Sequence, residues 1–357
     1  MQNLVEPERL VRHFIAHPPR NVCARIAEHG APVFSMRFDL LTTADARTRR
    51  RLERLPLFRH WRHWFQLQTC FVGTTVSEYV PAPREVAAPD FVRQVLSAHG
   101  PHNQLVVIKD IPRQSPLIDA SANRFAEALI QACREHRCSV LAGQALAYVP
   151  IDFVTVEQYL QRLSPARRKD LRRKLRSRCA LDVEMIATGS SPLCDAQMLA
   201  ELYSLYLNVY EQSETHFDLL TPEFFAALLG DREAGGALFL YRRAGILIGF
   251  NLCFVLGDTL VDKYIGFRYP DARDSHLYFI SWFQNLEFAL AHGLKYYVAG
   301  WTDPEVKRAL GARFTWTYHA VYARNPVLRA ILRQAGRHFE SDRSWYREIC
   351  DAPAGHS

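Results

Sequence analysis

The stretch ALFLYRRAGILIGFNLCFVLGDTLVDKYIGFR, residues 237–268, decides the fold of this chain. It is rich in β-branched and aromatic residues, which favour strands. Its only breaks are Arg243-Ala-Gly245 and Gly257-Asp258, and both have the composition of tight turns between antiparallel strands. The stretch therefore predicts three consecutive strands, over 237–242, 246–256 and 259–268.

The segments on either side of these strands alternate between helix and strand patterns. Gly293 closes a long apolar helix over Ser275–His292, and Thr221-Pro222-Glu223 opens an earlier helix, because Thr is a good N-cap and Pro suits the first helical turn. The remaining predictions for this half are a strand at Leu181–Ile186, a helix at Ala196–Tyr210, a strand at Leu294–Ala299, a short helix from Asp303-Pro304-Glu305 to Gly311, a strand at Phe314–Tyr322 and a helix from Asn325-Pro326 to about His338.

The first 150 residues have the composition of an α/β region. The predicted elements there are strands at Val33–Leu40, Phe65–Val72, Leu105–Ile111 and Val140–Ala142, and a helix at Ala122–Arg137. A chain of 357 residues exceeds one ordinary core, so two domains are expected. The predicted organisation is an N-terminal domain over 1–150, a basic helical linker over 151–180 and a C-terminal domain over 181–357.

The linker carries an unusually basic helix. Ser164-Pro165 begins it, and Asp170 is its one acid. Its cations are Arg167, Arg168, Lys169, Arg172, Arg173, Lys174, Arg176 and Arg178. Such a charge run is either a solvated face or a contact surface for a polyanion, and the pattern leaves both interpretations open.

Bulk composition limits the class of protein. Hydrophobic residues make up 48% and charged residues 23%, as in globular enzymes, and the net charge of +7 favours an anionic partner. No apolar run reaches the length of a membrane span, and the N-terminus lacks a signal-peptide core. The eight cysteines include no CxxC pair. We therefore expect a cytoplasmic enzyme with no membrane span, no metal site and no tightly bound cofactor.

Four segments of the chain resemble a bacterial family of N-acyltransferases, the peptidoglycan biosynthesis/recognition-type proteins of the GNAT superfamily. They are YLQRLSPARRKDLRRKLR (159–176), LYLNVYEQSETHFDLLTPEFF (205–225), GFNLCFVLGDTLVDKYIGFRYP (249–270) and YVAGWTDPEVKRALGARF (297–314). The predicted order of elements in the C-terminal half is also the GNAT order. The family is distantly related to the Fem-type peptidyltransferases, which use aminoacyl-tRNA. The resemblance implies an α/β (α+β) fold with tandem GNAT-like domains and mixed central sheets.

The resemblance also implies where an acyl donor binds. In GNAT folds two parallel strands separate, and the freed backbone groups hold the pantetheine of the donor. Here the separating strands end at 262–266 and 297–300, and the phosphate loop is Arg268–His276. That loop contains no glycine, unlike the loops of standard acetyl-CoA enzymes, so acyl-CoA, an acyl-carrier protein and an aminoacyl-tRNA remain possible donors. Its candidate phosphate-binding residues are Arg268, Arg273, Ser275 and His276.

The candidate catalytic residues lie in a polar loop and in an apolar strand. Acyl transfer to an amine needs a base for the ammonium proton, and Glu214 and His216 are the candidates in the loop between the first two helices. Asp262 and Lys263 are charges in an otherwise apolar strand, where burial is costly unless they are paired. Strand alternation predicts that Asp262 and Tyr264 share the face toward the site while Lys263 points away. A structural ion pair or an exposed edge is the alternative.

The motif GWTDPEVKRALG contributes the last candidates. Trp301 follows the separating strand and is predicted to line the acyl channel, and Lys307 is predicted to meet a phosphate or carboxylate. Asp303 is explained as a helix cap and needs no catalytic role. Lys263, Trp301 and Lys307 are therefore candidate donor-binding residues.

The sequence as a whole predicts an N-acyltransferase. It would move an acyl group from acyl-CoA or another pantetheine thioester, bound as co-substrate, to an amine acceptor. Two alternatives remain open: a Fem-like aminoacyl-tRNA-dependent transferase and a non-catalytic GNAT-like protein that binds a polyanion.

Overall fold

The computed structural model describes residues 1–42, 62–213 and 218–335, together with positions 50, 54 and 58. Its strands are β1 (Cys23–Ile26), β2 (Pro32–Asp39), β3 (Gln66–Val72), β4 (Leu105–Arg113), β5 (Ser139–Pro150), β6 (Asp182–Ala187), β7 (Gly236–Arg243), β8 (Ile246–Leu256), β9 (Thr259–Phe267), β10 (Tyr296–Gly300) and β11 (Arg313–Ala323). Its helices are α1 (Glu8–Ala16), α2 (Ala88–His99), α3 (Ala120–Glu135), α4 (Val156–Gln161), α5 (Pro165–Leu175), α6 (Ala196–Gln212), α7 (Pro222–Leu229), α8 (Asp271–Asp274), α9 (Leu277–Ala291), α10 (Pro304–Ala309) and α11 (Pro326–Ala335).

The chain folds into two units, each built from separate segments. The first contains Met1–Leu4, Asn21–Ala145 and the chain from Thr315 onward, and the second contains Val5–Arg20 and Leu146–Phe314. The predicted domain boundaries do not include the assignment of Val5–Arg20 to the second unit or of the segment from Thr315 to the first. Two long-range contacts explain it. Strand β11 pairs with β4 in an antiparallel ladder, and α1 joins the second unit, where the Nε2 atom of His13 lies 2.8 Å from the Oδ2 atom of Asp231.

The first unit is a mixed sheet covered by helices. Its strand order is β1-β2-β3-β4-β11-β5, with β3 and β4 parallel and the pairs β1–β2, β2–β3 and β4–β11 antiparallel. Helices α2 and α3 bury apolar residues at helical spacing, among them Phe91, Val95, Ala126 and Leu129. The side chain of Asp119 caps α3 by accepting a hydrogen bond from the Ala122 amide at 2.8 Å.

The second unit repeats the mixed-sheet arrangement. Its strand order is β5-β10-β9-β8-β7-β6, and among these described strands β9 and β10 form a parallel pair while the other neighbours are antiparallel. Helix α9 is apolar on most of its surface and packs into the core with Phe239, Tyr241 and Tyr297. At the start of α4, the side chain of Thr155 caps the helix by accepting from the Gln158 amide at 3.1 Å, as its capping pattern predicts.

A close approach between α6 and β9 requires a glycine on the strand. A Cβ atom at Gly266 would lie 2.8 Å from the backbone carbon of Leu205 and 2.2 Å from the Phe250 ring. Both distances are far inside van der Waals contact, so no other residue fits at this position without movement of the helix or the ring. The glycine therefore sets how closely α6 packs over the strand that carries Asp262.

A β-bulge interrupts the pairing of β8 with β9. Cys253 pairs with Asp262, and the preceding residue Leu252 pairs with Tyr264, so Lys263 is an extra residue on β9. An extra residue reverses the alternation of side chains beyond it.

Within the described residues, no helix is both long and apolar enough to cross a membrane.

Candidate functional site

The strands β9 and β10 separate where the sequence predicts. Their parallel pairing ends at Val261 opposite Val298, and Gly300 at the end of β10 instead pairs with Ala147 of β5. Asp262 is the first residue of β9 beyond the pairing. Its side chain therefore stands at the opening between the two strands, and it keeps partial solvent exposure there.

A network of buried polar groups surrounds the Asp262 carboxylate. Asn285 of α9 donates from its Nδ2 atom to Asp262 Oδ2 at 2.8 Å, and the Tyr297 hydroxyl donates to the same oxygen at 3.4 Å. The Cys253 thiol approaches the other oxygen, Oδ1, at 3.6 Å. Each of these three residues has 1% or less of its surface exposed. The carboxylate is thus held in one orientation by donors from a helix and two strands.

A second layer fixes the donors themselves. Asn251 of β8 donates to the Asn285 Oδ1 atom at 2.8 Å, and its own Oδ1 accepts from the Tyr241 hydroxyl at 2.6 Å. Asn251 and Tyr241 are both fully buried. Because a buried polar group without a partner costs free energy, this chain of bonds is what allows so many polar atoms in the core.

The pKa of Asp262 is higher than that of an ordinary aspartate. Burial raises its pKa from 3.8 to about 6, and the nearby Lys307 ammonium and the hydrogen bonds from Cys253 and the two asparagines only partly oppose that rise. The negative charge in turn raises the pKa of Tyr297, which burial already holds well above 10. A carboxyl group with a pKa of about 6 is ionised at neutral pH and is a stronger base than an ordinary aspartate.

Lys307 of α10 supplies the positive charge beside this carboxylate. Only 4% of the lysine surface is exposed. Its Nζ atom lies 3.8 Å from the position that a Cβ atom would take on Gly300, which has a φ of +80°. The ammonium is therefore beside the end of β10, at the same opening as Asp262. This placement agrees with a role in the site and differs from a plain surface lysine.

The prediction that Asp262 and Tyr264 share one face of β9 is wrong. The bulge at Lys263 sends Asp262 toward α9, whereas Tyr264 packs on the other side against Phe224 and Phe225 of α7, with ring centroids 6.0 and 5.4 Å apart. Tyr264 is therefore part of an aromatic cluster under α7. Lys263 is partly exposed at the bulge.

The loop before α9 is differently arranged from the predicted phosphate loop. The guanidinium of Arg268 donates to the Leu247 carbonyl and to Glu201 Oε1 at 3.1 Å, and that of Arg273 donates to Gln212 Oε1 at 2.7 Å. Ser275 is 4% exposed, and His276 precedes α9 with a left-handed φ of 53° and no side-chain cap bond. The short helix α8 also places Asp271 and Asp274 in this loop. Arg268 and Arg273 are thus already engaged in hydrogen bonds and Ser275 is buried, whereas His276 is partly exposed.

The interpretation of Asp303 as a side-chain cap is also wrong. Its φ is 50°, and its carboxylate makes no cap hydrogen bond to α10. Only its backbone carbonyl accepts from the Lys307 amide, at 3.1 Å. Its charge contributes to a raised pKa at Tyr269 and Tyr278, so the carboxylate is near those rings. Trp301 is partly exposed beside the end of β10, and Glu214 and His216 lie outside the described residues.

Sequence reasoning missed the residues that hold Asp262 in place, namely Tyr241, Asn251, Cys253, Asn285 and Tyr297. The signal that could have found them is an asparagine in the otherwise apolar strand β8 and another in the largely apolar helix α9. Such residues need buried partners, and Asp262 on the neighbouring strand was the obvious one. Among the described residues, no group of three or more metal-binding side chains occurs.

Comparison with known proteins identifies the family. A family model described as FemAB-like, peptidoglycan biosynthesis/recognition, matches residues 102–351. The chain belongs to the FemAB-like family. This confirms the resemblance drawn from the four sequence segments. A search of curated proteins gives no match.

Solved structures share the fold of this FemAB-like protein at low sequence identity. The C-terminal domain of a protein assigned as a lysylphosphatidylglycerol synthetase from Agrobacterium fabrum aligns with a TM-score of 0.56 and 13% identity, over 92% of this chain and 90% of that one. L-PGS from Bacillus licheniformis aligns with a TM-score of 0.53 and 10% identity, over 94% and 98%. FemX aligns with a TM-score of 0.51 and 11% identity, over 92% and 98%. These likenesses confirm the predicted α/β fold with mixed sheets.

Proposed function

We propose that the second unit transfers an acyl or aminoacyl group from an activated thioester or ester to an amine. The observation that carries the proposal is the Asp262 carboxylate, which is partly exposed at the opening between β9 and β10 and has a pKa of about 6. Membership of the FemAB-like family and the fold shared with FemX and L-PGS support a transferase.

Asp262 has the properties of the base that this reaction needs. An acceptor amine arrives as an ammonium, which donates a hydrogen bond to the carboxylate. One ammonium proton first passes to an Asp262 oxygen, and the neutral amine then attacks the carbonyl carbon. As the new C–N bond forms and the C–S or C–O bond of the donor breaks, the leaving sulfur or oxygen takes a second proton from the nitrogen and departs as a thiol or hydroxyl group. Asn285 and Tyr297 hold the receiving carboxylate still during this transfer.

Lys307 has the positive charge that can stabilise the carbonyl oxygen of the donor during the attack. The attacked carbonyl oxygen becomes negative in the transition state, and a fixed cation beside the end of β10 stabilises negative charge there. A lysine that is almost fully buried loses little mobility when the substrates bind. We therefore assign Asp262 to the proton and Lys307 to the developing negative charge.

The test is transfer by the purified full-length protein. Long-chain acyl-pantetheine, acyl-CoA and aminoacyl-tRNA are offered as donors with a panel of primary amines, and mass spectrometry detects the N-acylated product. With any donor that reacts, we expect Asp262→Asn to lower the rate by about 10²-fold or more while donor binding, read from thermal stability, persists.

Asp258→Asn is the matched control. Asp258 lies four residues earlier in the chain and pairs with Lys295 in the turn before β9. Its side chain is 45% exposed, and its substitution should leave transfer unchanged. The proposal fails if Asp262→Asn transfers at the rate of the unsubstituted protein, or if no donor both binds and reacts.

A further inference from the structure

We propose that α5 is a docking surface for an acidic carrier protein, which delivers the acyl group as a thioester on its phosphopantetheine arm. This inference rests on the proposed function, because it names the class of donor for the same site. The observations that carry it are the charge on α5, its contact with α9 and the composition of the loop before α9.

The exposed side of α5 is a row of cations. Lys169 and Arg172 of α5 and Arg176, which directly follows the helix, are spaced three and four residues apart, and all three are exposed. Arg172 pairs with Glu157. Within the described parts of the chain, no carboxylate pairs with Lys169 or Arg176, nor with Arg167 near the start of the helix. The helix thus offers unneutralised positive charge to a partner.

The opposite side of α5 is anchored to the helix that holds the site. Lys174 lies 3.8 Å above the ring of Phe279 on α9. Just beyond α5, Arg178 donates to Glu287 at 2.7 Å and to Gln284 at 2.9 Å on the same helix. Helix α9 also carries Asn285, which binds Asp262. Helix α5 therefore connects a partner on its exposed side to the helix that positions Asp262.

The loop before α9 favours a carrier protein over a nucleotide-bearing donor. Free CoA brings a diphosphate, and a charged RNA brings several phosphates close to its reactive ester. In this loop Arg268 is paired with Glu201 and Arg273 with Gln212, and Asp271 and Asp274 add negative charge. A carrier protein has a single phosphate at the far end of its arm. Its own acidic side chains supply the partners for the cations of α5.

The surface of α5 also distinguishes a protein from a membrane. A helix that lies in a membrane interface buries a row of apolar side chains there, in addition to its attraction to anionic lipids. The leucines of α5 are Leu171, which is 4% exposed, and Leu175, which is partly buried. Asp170, the one acid of the helix, pairs with both Arg173 and Lys174. The individual cations along α5 can each pair with an individual carboxylate on the surface of a folded protein.

The experiment compares two donors that carry the same acyl group. One is a bacterial acyl carrier protein loaded with a long-chain acyl-phosphopantetheine, and the other is the acyl-pantetheine fragment without protein. We expect the loaded carrier protein to have the lower KM. The double variant Lys169→Glu/Arg176→Glu should raise the KM for the carrier protein by about tenfold or more and leave its kcat unchanged, with no effect on the fragment. The fragment kinetics also report that the variant is folded.

Two controls complete the design. Lys169→Gln/Arg176→Gln removes the charges without reversing them and should give a smaller rise in KM. Arg243→Glu reverses an exposed charge elsewhere in the second unit and should change nothing.

The outcomes separate this inference from the proposed function. If neither the fragment nor the carrier protein acylates an amine, the proposed function fails. If the fragment reacts but the carrier protein has no advantage, or the α5 variants do not alter its KM, the docking surface is overturned while the transfer activity stands. Salt-dependent binding of aminoacyl-tRNA that is lost in the same variants would assign α5 to RNA and would also overturn the inference.

Discussion

The substitution Asp262→Asn should make the second unit more stable at neutral pH. In the folded protein the pKa of Asp262 is about 6, against 3.8 as its ordinary value. A raised folded-state pKa means that folding favours the protonated form. Its contribution to stability is complete below pH 3.8 and is lost as the pH rises through 6. At pH 7.5 the ionised carboxylate therefore opposes folding.

The size of the effect follows from the difference in pKa. About two pKa units correspond to roughly 3 kcal/mol at pH 7.5, and the same relation gives about half of that at pH 5. Asparagine has nearly the same shape, and its carbonyl oxygen can still accept from Asn285 and Tyr297. We therefore expect a gain of up to about 3 kcal/mol at pH 7.5 that shrinks as the pH is lowered.

Hydrogen–deuterium exchange measures this gain locally. Peptides that cover β9 and α9 report the free energy of opening of the second unit by itself. The comparison is between Asp262→Asn, the unsubstituted protein and Asp258→Asn at pH 7.5 and pH 5. Asp258→Asn should show no gain, since its carboxylate is exposed and paired with Lys295. A loss of protection in Asp262→Asn, or a gain of equal size at both pH values, would refute the reasoning.

Three further results are expected. The rate of transfer should fall as the pH drops through about 6, because protonation of Asp262 removes the base, and a rate that is flat between pH 5 and 8 would contradict this. Lys307→Gln should move that midpoint to higher pH, because the lysine charge lowers the pKa of Asp262; an unchanged midpoint in the pH–rate profile would exclude the coupling. Gly266→Ala should destabilise the second unit by about 1–3 kcal/mol in urea unfolding, because its Cβ atom would meet the Phe250 ring at 2.2 Å. Gly245→Ala, with a φ of +79° but no atom within 4 Å, should cost less.

The elements of the second unit could be predicted because their signals are local. The three strands in residues 237–268 are separated by turns that two or three residues specify, and the structure has them at β7, β8 and β9. Gly293 and the Thr221-Pro222 pair likewise mark helix ends by their own backbone preferences. The opening between β9 and β10 was implied by the resemblance to GNAT folds, and Asp262 became a candidate because a charge in an apolar strand is costly.

Long-range pairing and backbone irregularities could not be predicted in the same way. The sequence of residues 313–323 contains no local signal that β11 pairs with β4, which lies some two hundred residues earlier in the chain. The bulge at Lys263 depends on how β8 and β9 align, and without it strict alternation places Tyr264 beside Asp262. The left-handed conformation at Asp303 also removes a cap that its sequence pattern strongly indicated.

The arrangement around Asp262 opposes stability, and that is an argument for its function. A hydrocarbon side chain at this position would remove the cost of desolvating a carboxylate and the need for Asn251, Asn285 and the Tyr297 hydroxyl in the core. Instead, β8, α9 and β10 supply polar groups that orient one carboxyl group at the place where the parallel strands β9 and β10 separate. A carboxylate that costs the fold up to about 3 kcal/mol at neutral pH, and that keeps contact with solvent, has the properties of a reacting group rather than of a structural one.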